Sequence, residues 1–207
     1  MISRFQKILF FVLLAASVAM AGILLHLRNR AHKQMLEGQD SAPTEAPDIA
    51  PMVQATLMVA SDSDGSLRPQ ARAFPLPSDE GARARALLAR LFDLYATADS
   101  SHPVPGGASG VAQVFLLAVP GSPAAQDGPQ LAVVNLTGAF ANGHPSGIET
   151  EMLTIQSICS TLHANLPRIA QVRFLVDGQT RPTLAGHADL TRIYLTQDAA
   201  PAGGATE

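Results

Sequence analysis

The chain has 207 residues, of which 47% are apolar and 15% charged, with a formal net charge of −3 and no tryptophan. So small a charge argues against a nucleic-acid binder, which carries a basic patch, and 5% aromatics leaves little for base stacking. The single cysteine, Cys159, has no partner for an internal disulfide and cannot build a cysteine-rich zinc site.

Residues 1–7 carry Arg4 and Lys7 and precede an apolar or small-residue run from Ile8 to Leu25, followed by Arg28, Arg30 and Lys33. At about 1.5 Å per helical residue the run spans about 27 Å, close to the hydrocarbon thickness of a bilayer. An uncleaved transmembrane anchor over 8–27 is expected. The competing reading is a signal peptide cut after Ala21, where Ala19-Met20-Ala21 offers the small residues a signal peptidase needs. No cysteine lies nearby to carry a lipid, and the flanking charges are too balanced to set orientation. Residues 28–51 turn rich in Pro, Ala, Asp and Glu, without apolar period, and read as an extended linker. A domain is expected over 52–196 and a disordered tail over 197–207.

Within the domain, 53–60 and 68–76 read as two strands around Ser61-Asp62-Ser63-Asp64-Gly65-Ser66, with Pro69 weakening the second. Ala84, Leu87, Leu88, Leu91, Leu94 and Tyr95 recur at helical spacing, so a helix is predicted over 78–98, capped by Ser78. Residues 100–110 form a loop. Strands 111–119 and 130–137 form a hairpin with a long loop. A second helix is predicted over 147–164, because Ile148, Met152, Ile155, Cys159, Leu162 and Leu166 alternate steps of four and three. A strand at 171–178 follows, then the Asp177-Gly178 turn and a short return strand at 182–186. Strands, helix, hairpin, helix and strand in that order imply an α+β fold: a compact sandwich of a mixed or antiparallel sheet with two main helices. Its core should use the helix stripe with Val172, Phe174 and Val176, so Met152→Asp should unfold it.

Candidate chemistry concentrates in Phe140–Glu151, which holds His144, Ser146, Glu149 and Glu151. Ser146 and Glu149 match a capping box, the serine taking an orphan helix N–H and the glutamate reaching back to the serine N–H. Glu149 and Glu151 also suit the positive end of the helix dipole. His144 then stands alone, expected exposed and dispensable, so that His144→Ala should change little. Cys159 and His163 are one turn apart, a spacing that can chelate zinc, but further ligands are missing and no metal or cofactor is expected. His102 and His187 fall in loops and are expected to be solvated. No nucleophile elbow, phosphate-binding loop or dinucleotide fingerprint is present.

The strand ending Val134-Asn135-Leu136, the helix ending Thr161-Leu162, then Pro167, Val172, Val176-Asp177-Gly178 and Gly186 together resemble the GerMN domain, a family named for a bacterial sporulation and germination protein. Relatives often have Asp where Asn135 stands, and only one copy is visible. The resemblance implies a fold like that of ring-building modules, no catalytic residues, and a place outside the cytoplasmic membrane, with residues 1–7 inside. The expected function is a non-catalytic, membrane-anchored interaction or assembly module of the cell envelope. Its expected partners are the membrane, through the N-terminal helix, and envelope proteins or further copies of itself. The alternative is an envelope hydrolase or metal enzyme using His144, Glu149, Glu151 and His187.

Overall fold

The computed structural model describes residues 52–119 and 128–196. The expected anchor, linker and tail, and most of the long hairpin loop, lie outside the described residues.

Strand β1 (Met52–Ser61) pairs antiparallel with β2 (Ser66–Pro75) along their whole length. Pro69 stands opposite Met58. The Met58 N–H points away from β2, donating to Thr161 Oγ1 at 2.9 Å, so the pair is a non-bonded one and proline costs the ladder nothing there. Helix α1 (Glu80–Tyr95) follows, burying Ala84, Leu87, Leu88, Leu91, Phe92 and Tyr95. It is capped by Asp79, whose carboxylate accepts the Ala82 N–H at 2.7 Å, and Ser78 is not the cap.

A four-stranded sheet has the order β3-β4-β5-β6, formed by β3 (Val111–Ala118), β4 (Gln130–Leu136), β5 (Ile169–Val176) and β6 (Tyr194–Leu195). The β4–β5 pair is parallel and the other two are antiparallel. Two helices make the parallel crossover, α2 (Gly138–Gly143) and α3 (Ile148–Asn165). Helix α2 was not expected from the sequence; it is a single turn capped by Thr137, whose hydroxyl accepts the Phe140 N–H at 3.3 Å. The return strand at 182–186 does not form either. Those residues belong to an irregular segment, and the sheet edge is closed later by Tyr194 and Leu195. The fold is α+β, with α1 against β3 and α3 against β5 on the buried face of the mixed sheet.

Val114, Val134, Leu136, Val172, Phe174 and Val176 line that face. Helix α3 packs against β1, α1 and β5, so it is buried on more than the one face its apolar stripe suggested. Ile155, Cys159, Leu162 and Leu166 hold their expected places in the core. Ile148 is 73% exposed and Met152 only half-buried, which corrects the first turn of the stripe. Its other buried side carries Thr154, Ser157, Thr161 and Asn165. This polar seam completes the free edge of β1. Asn165 accepts the Thr56 N–H at 2.9 Å and donates to the Thr56 carbonyl at 2.7 Å, as a neighbouring strand would. Tyr95 from α1 adds a further bond, accepting the Ala60 N–H at 3.0 Å. Every buried backbone group of an edge strand needs such a partner.

Candidate functional site

Helix α3 begins at Ile148, with Gly147 as its N-cap and no side-chain capping bond. The expected Ser146–Glu149 box therefore does not form. Starting one residue later moves Glu149 off the third helical position, the one from which a side chain reaches back to the cap. Glu149 is exposed and lies against Gly65 in the β1–β2 turn. Glu151, one turn into the helix, takes over the reciprocal bond and accepts the Gly147 N–H at 3.2 Å.

Glu151 does much more than cap. Its side chain is fully buried, and Oε2 accepts the backbone N–H groups of Ala185 (3.0 Å), His187 (2.9 Å) and Ala188 (2.8 Å). His187 Nδ1 lies 2.9 Å from Oε1. The backbone can converge in this way because Gly186 adopts φ +127°, a region closed to residues with a Cβ. Burial by itself would raise the Glu151 pKa, but the bonds from Ala185, Ala188 and His187 outweigh it and hold the carboxylate at about 2.

The structure corrects two of the histidine expectations. His144 is buried, with Nδ1 2.7 Å from the Pro145 carbonyl and Nε2 2.7 Å from Thr154 Oγ1. His102 is also buried, against Asp62 and the same Thr154 oxygen. Loop membership says nothing about burial when the loop folds back over a helix, and both do. His187 has the exposure expected of it, yet it is fastened to Glu151.

Of the residues of the hydrolase alternative, only Glu151 and His187 meet. His144 faces Thr154, Glu149 faces the β1–β2 turn, and Glu151 is saturated by the segment 185–188. Ser146, His187 and Glu151 do adjoin, but Ser146 Oγ (3.4 Å) and Glu151 both address His187 Nδ1. A relay needs the nucleophile on one ring nitrogen and the carboxylate on the other. Cys159 and His163 also have separate tasks. Burial pushes the Cys159 thiol up to about 12, while His163 Nδ1 bonds the Ile169 carbonyl at 3.1 Å. Among the described residues no three His, Cys, Asp or Glu side chains are grouped as metal ligands.

A groove of about 240 Å³ runs between α3 and β6, lined by Met152, Ile155, Cys159 and Tyr194 among others. Its one cation, Arg192, stacks over the Tyr194 ring at 4.3 Å. The outer face of the four-stranded sheet presents Phe115, Leu117 and Leu195, each about half exposed.

The Val-Asp-Gly motif proves to be a structural joint. Asp177 (φ +49°) and Gly178 (φ +74°) form the two left-handed positions of a tight turn, with Val176 and Gln179 paired across it. Asp177 Oδ1 accepts the Gly138 N–H at 2.8 Å and Asn135 Oδ1 accepts the Gly178 N–H at 2.8 Å. The ends of β4 and β5 are thus locked to the start of α2. Only an acceptor is required at position 135, and asparagine supplies one as aspartate would.

A mixed sheet, a helical crossover and a turn joint of this kind define a small α+β module whose polar side chains serve its own backbone. The chain belongs to the Germane family, described as sporulation and spore germination, whose sequence pattern matches residues 56–182. Among solved structures it is similar to the first GerMN domain of the sporulation protein GerM from Bacillus subtilis, at 21% identity and a TM-score of 0.42 over 70% of this chain and 98% of that one. It is also similar to the tandem GerMN domains of the same protein, at 18% identity and a TM-score of 0.39 over 72% of this chain and 48% of that one. No curated protein matches the chain.

Proposed function

We propose that the protein is a non-catalytic interaction or assembly module of the bacterial cell envelope. In this proposal residues 8–27 anchor it in the cytoplasmic membrane, 28–51 act as a tether, and 52–196 form a domain on the outer side. The observation that carries the non-catalytic assignment is the saturation of Glu151. The carboxylate best placed for chemistry already accepts three backbone N–H groups on one oxygen and two further contacts on the other. A general base needs a free lone pair within reach of a substrate proton, and this one has none to offer. Membership of the Germane family supports the same assignment. The anchor rests on the apolar run and its length, and the assembly role on Phe115, Leu117 and Leu195, since large exposed apolar side chains grouped on one face mark contact surfaces.

Crosslinking in native membranes, followed by mass spectrometry, tests this directly. The expected result is a defined crosslinked species, homomeric or heteromeric, joined through residues of the outer sheet face. Recovery of monomer alone at every crosslinker concentration would count against an assembly role. Extraction of the protein by carbonate or salt without detergent would count against the anchor.

A further inference from the structure

His102, Thr154 and His144 form a continuous buried chain that an assembly role does not require. His102 Nδ1 lies 2.5 Å from Asp62 Oδ1, and its Nε2 lies 2.7 Å from Thr154 Oγ1. His144 Nε2 lies 2.7 Å from that same oxygen and its Nδ1 2.7 Å from the Pro145 carbonyl. The two rings are 6.4 Å apart. Around them stand the Tyr95 ring from α1, edge-on to His102 at 4.7 Å, and the Phe140 ring from α2, 5.7 Å from His144. Asp62, from the β1–β2 turn, and Glu151, from α3, are the carboxylates whose charge is felt at His144. No lysine or arginine bonds to either ring among the described residues.

Counting protons settles how the chain is wired. The Pro145 carbonyl can only accept, so His144 carries its hydrogen on Nδ1 and presents a bare Nε2 to Thr154. The Thr154 hydroxyl has one hydrogen and gives it to that nitrogen. His102 must then donate to Thr154 through Nε2–H. Its Nδ1 faces a carboxylate at hydrogen-bond distance, which is tolerable only with a second hydrogen between them. The closed chain therefore holds one proton more than two neutral histidines and an ionised aspartate would.

A further proton has one place to go, His144 Nε2. Thr154 can accommodate it by turning its own hydrogen to the Thr150 carbonyl, 3.2 Å away, while accepting from both rings. Two cations then face each other in a buried space whose one directly hydrogen-bonded carboxylate, Asp62, sits at the His102 end. We propose that this chain is an acid-responsive latch. With one shared proton it fastens the loop carrying His102, helix α3 and residues 144–147 together, and a second proton on His144 releases the 144–147 side. Burial first, reinforced by the His102 charge, lowers the His144 pKa below 6.5 against the opposing pull of the Pro145 carbonyl, Glu151 and Asp62. The native state then resists a proton that the unfolded chain accepts. Stability from the latch is present above pH 6.5 and is lost as the pH falls below it.

The test uses the full ¹⁵N-labelled chain in detergent micelles. Imidazole spectra at pH 7.5 should show His144 with hydrogen on Nδ1 only. Urea titrations should show the folding constant of the wild type falling by up to tenfold per pH unit between pH 6.5 and 5 relative to His144→Gln. His163 and His187 are present in both proteins and cancel in that comparison. Amide exchange of residues 138–147, corrected for its intrinsic pH dependence, should rise at pH 5 in the wild type alone. Thr154→Ser should track the wild type and Thr154→Val should have a lower folding constant at pH 7.5. A charged His144 at pH 7.5, or superimposable pH profiles for wild type and His144→Gln, would overturn the latch. The spectra decide the question even if His144→Gln fails to fold.

Discussion

Replacing Glu151 by glutamine separates the carboxylate's charge from its shape. The amide oxygen can occupy the Oε2 position and keep the Ala185, His187 and Ala188 N–H bonds. Its NH₂ group then falls at Oε1, where it meets the Gly147 N–H and leaves that donor unpaired. Three backbone bonds also change from charge-assisted to neutral, about half as strong each. The pKa gives an independent figure. A fall from 4.5 to about 2 corresponds to about 3 kcal/mol, which solvent access around half-exposed His187 reduces to about 2 kcal/mol. Because the folded pKa is depressed, this stabilisation is complete above pH 4.5 and disappears as the pH falls towards 2. Urea denaturation at pH 7 should therefore find Glu151→Gln less stable by about 2 kcal/mol, with the gap closing as both proteins are taken from pH 4.5 to 3. Equal stability at pH 7, or a gap that does not change with pH, would show that the charge does not organise the segment 185–188.

Asn165→Ala removes both bonds to Thr56 and should cost about 1–2 kcal/mol in the same assay, since it leaves partly buried edge groups of β1 unpaired. Ser146→Ala should change stability by less than about 0.5 kcal/mol, whereas a true N-cap serine would cost about 1 kcal/mol. Ile158→Asp should abolish the cooperative unfolding transition because it places a charge at a fully buried site; Met152→Asp, half-buried in the wall of an open groove, should leave a folded protein by circular dichroism. Phe115→Ser combined with Leu117→Ser should leave the melting temperature within a few degrees of the wild type and remove the envelope crosslinks.

Much of the fold was legible in the chain because local rules act on local neighbours. The strand-forming runs of β1, β3 and β5, the Leu87–Leu88–Leu91–Tyr95 spacing of α1 and the Asp177-Gly178 turn each reflect local preferences that need no tertiary partner. Pro69 looked like a defect for want of one fact, the direction of the Met58 N–H, which depends on a helix about a hundred residues later. The same limit explains the errors at the candidate site. A serine three residues before a glutamate satisfies the capping pattern, but the segment 185–188, 34 to 37 residues away, draws Glu151 inward and sets the helix start at Ile148.

The sequence by itself determined the two main helices and the five longer strands, the core stripe from Ile155 to Leu166, and the Val-Asp-Gly joint, since periodicity and turn chemistry are properties of short stretches. Only the tertiary structure decided what the polar residues do. Whether a histidine is solvated or sealed depends on which distant segments close over it. His102 and His144, 42 positions apart by number, meet on one threonine hydroxyl because α3 carries that hydroxyl between the two loops that cover it.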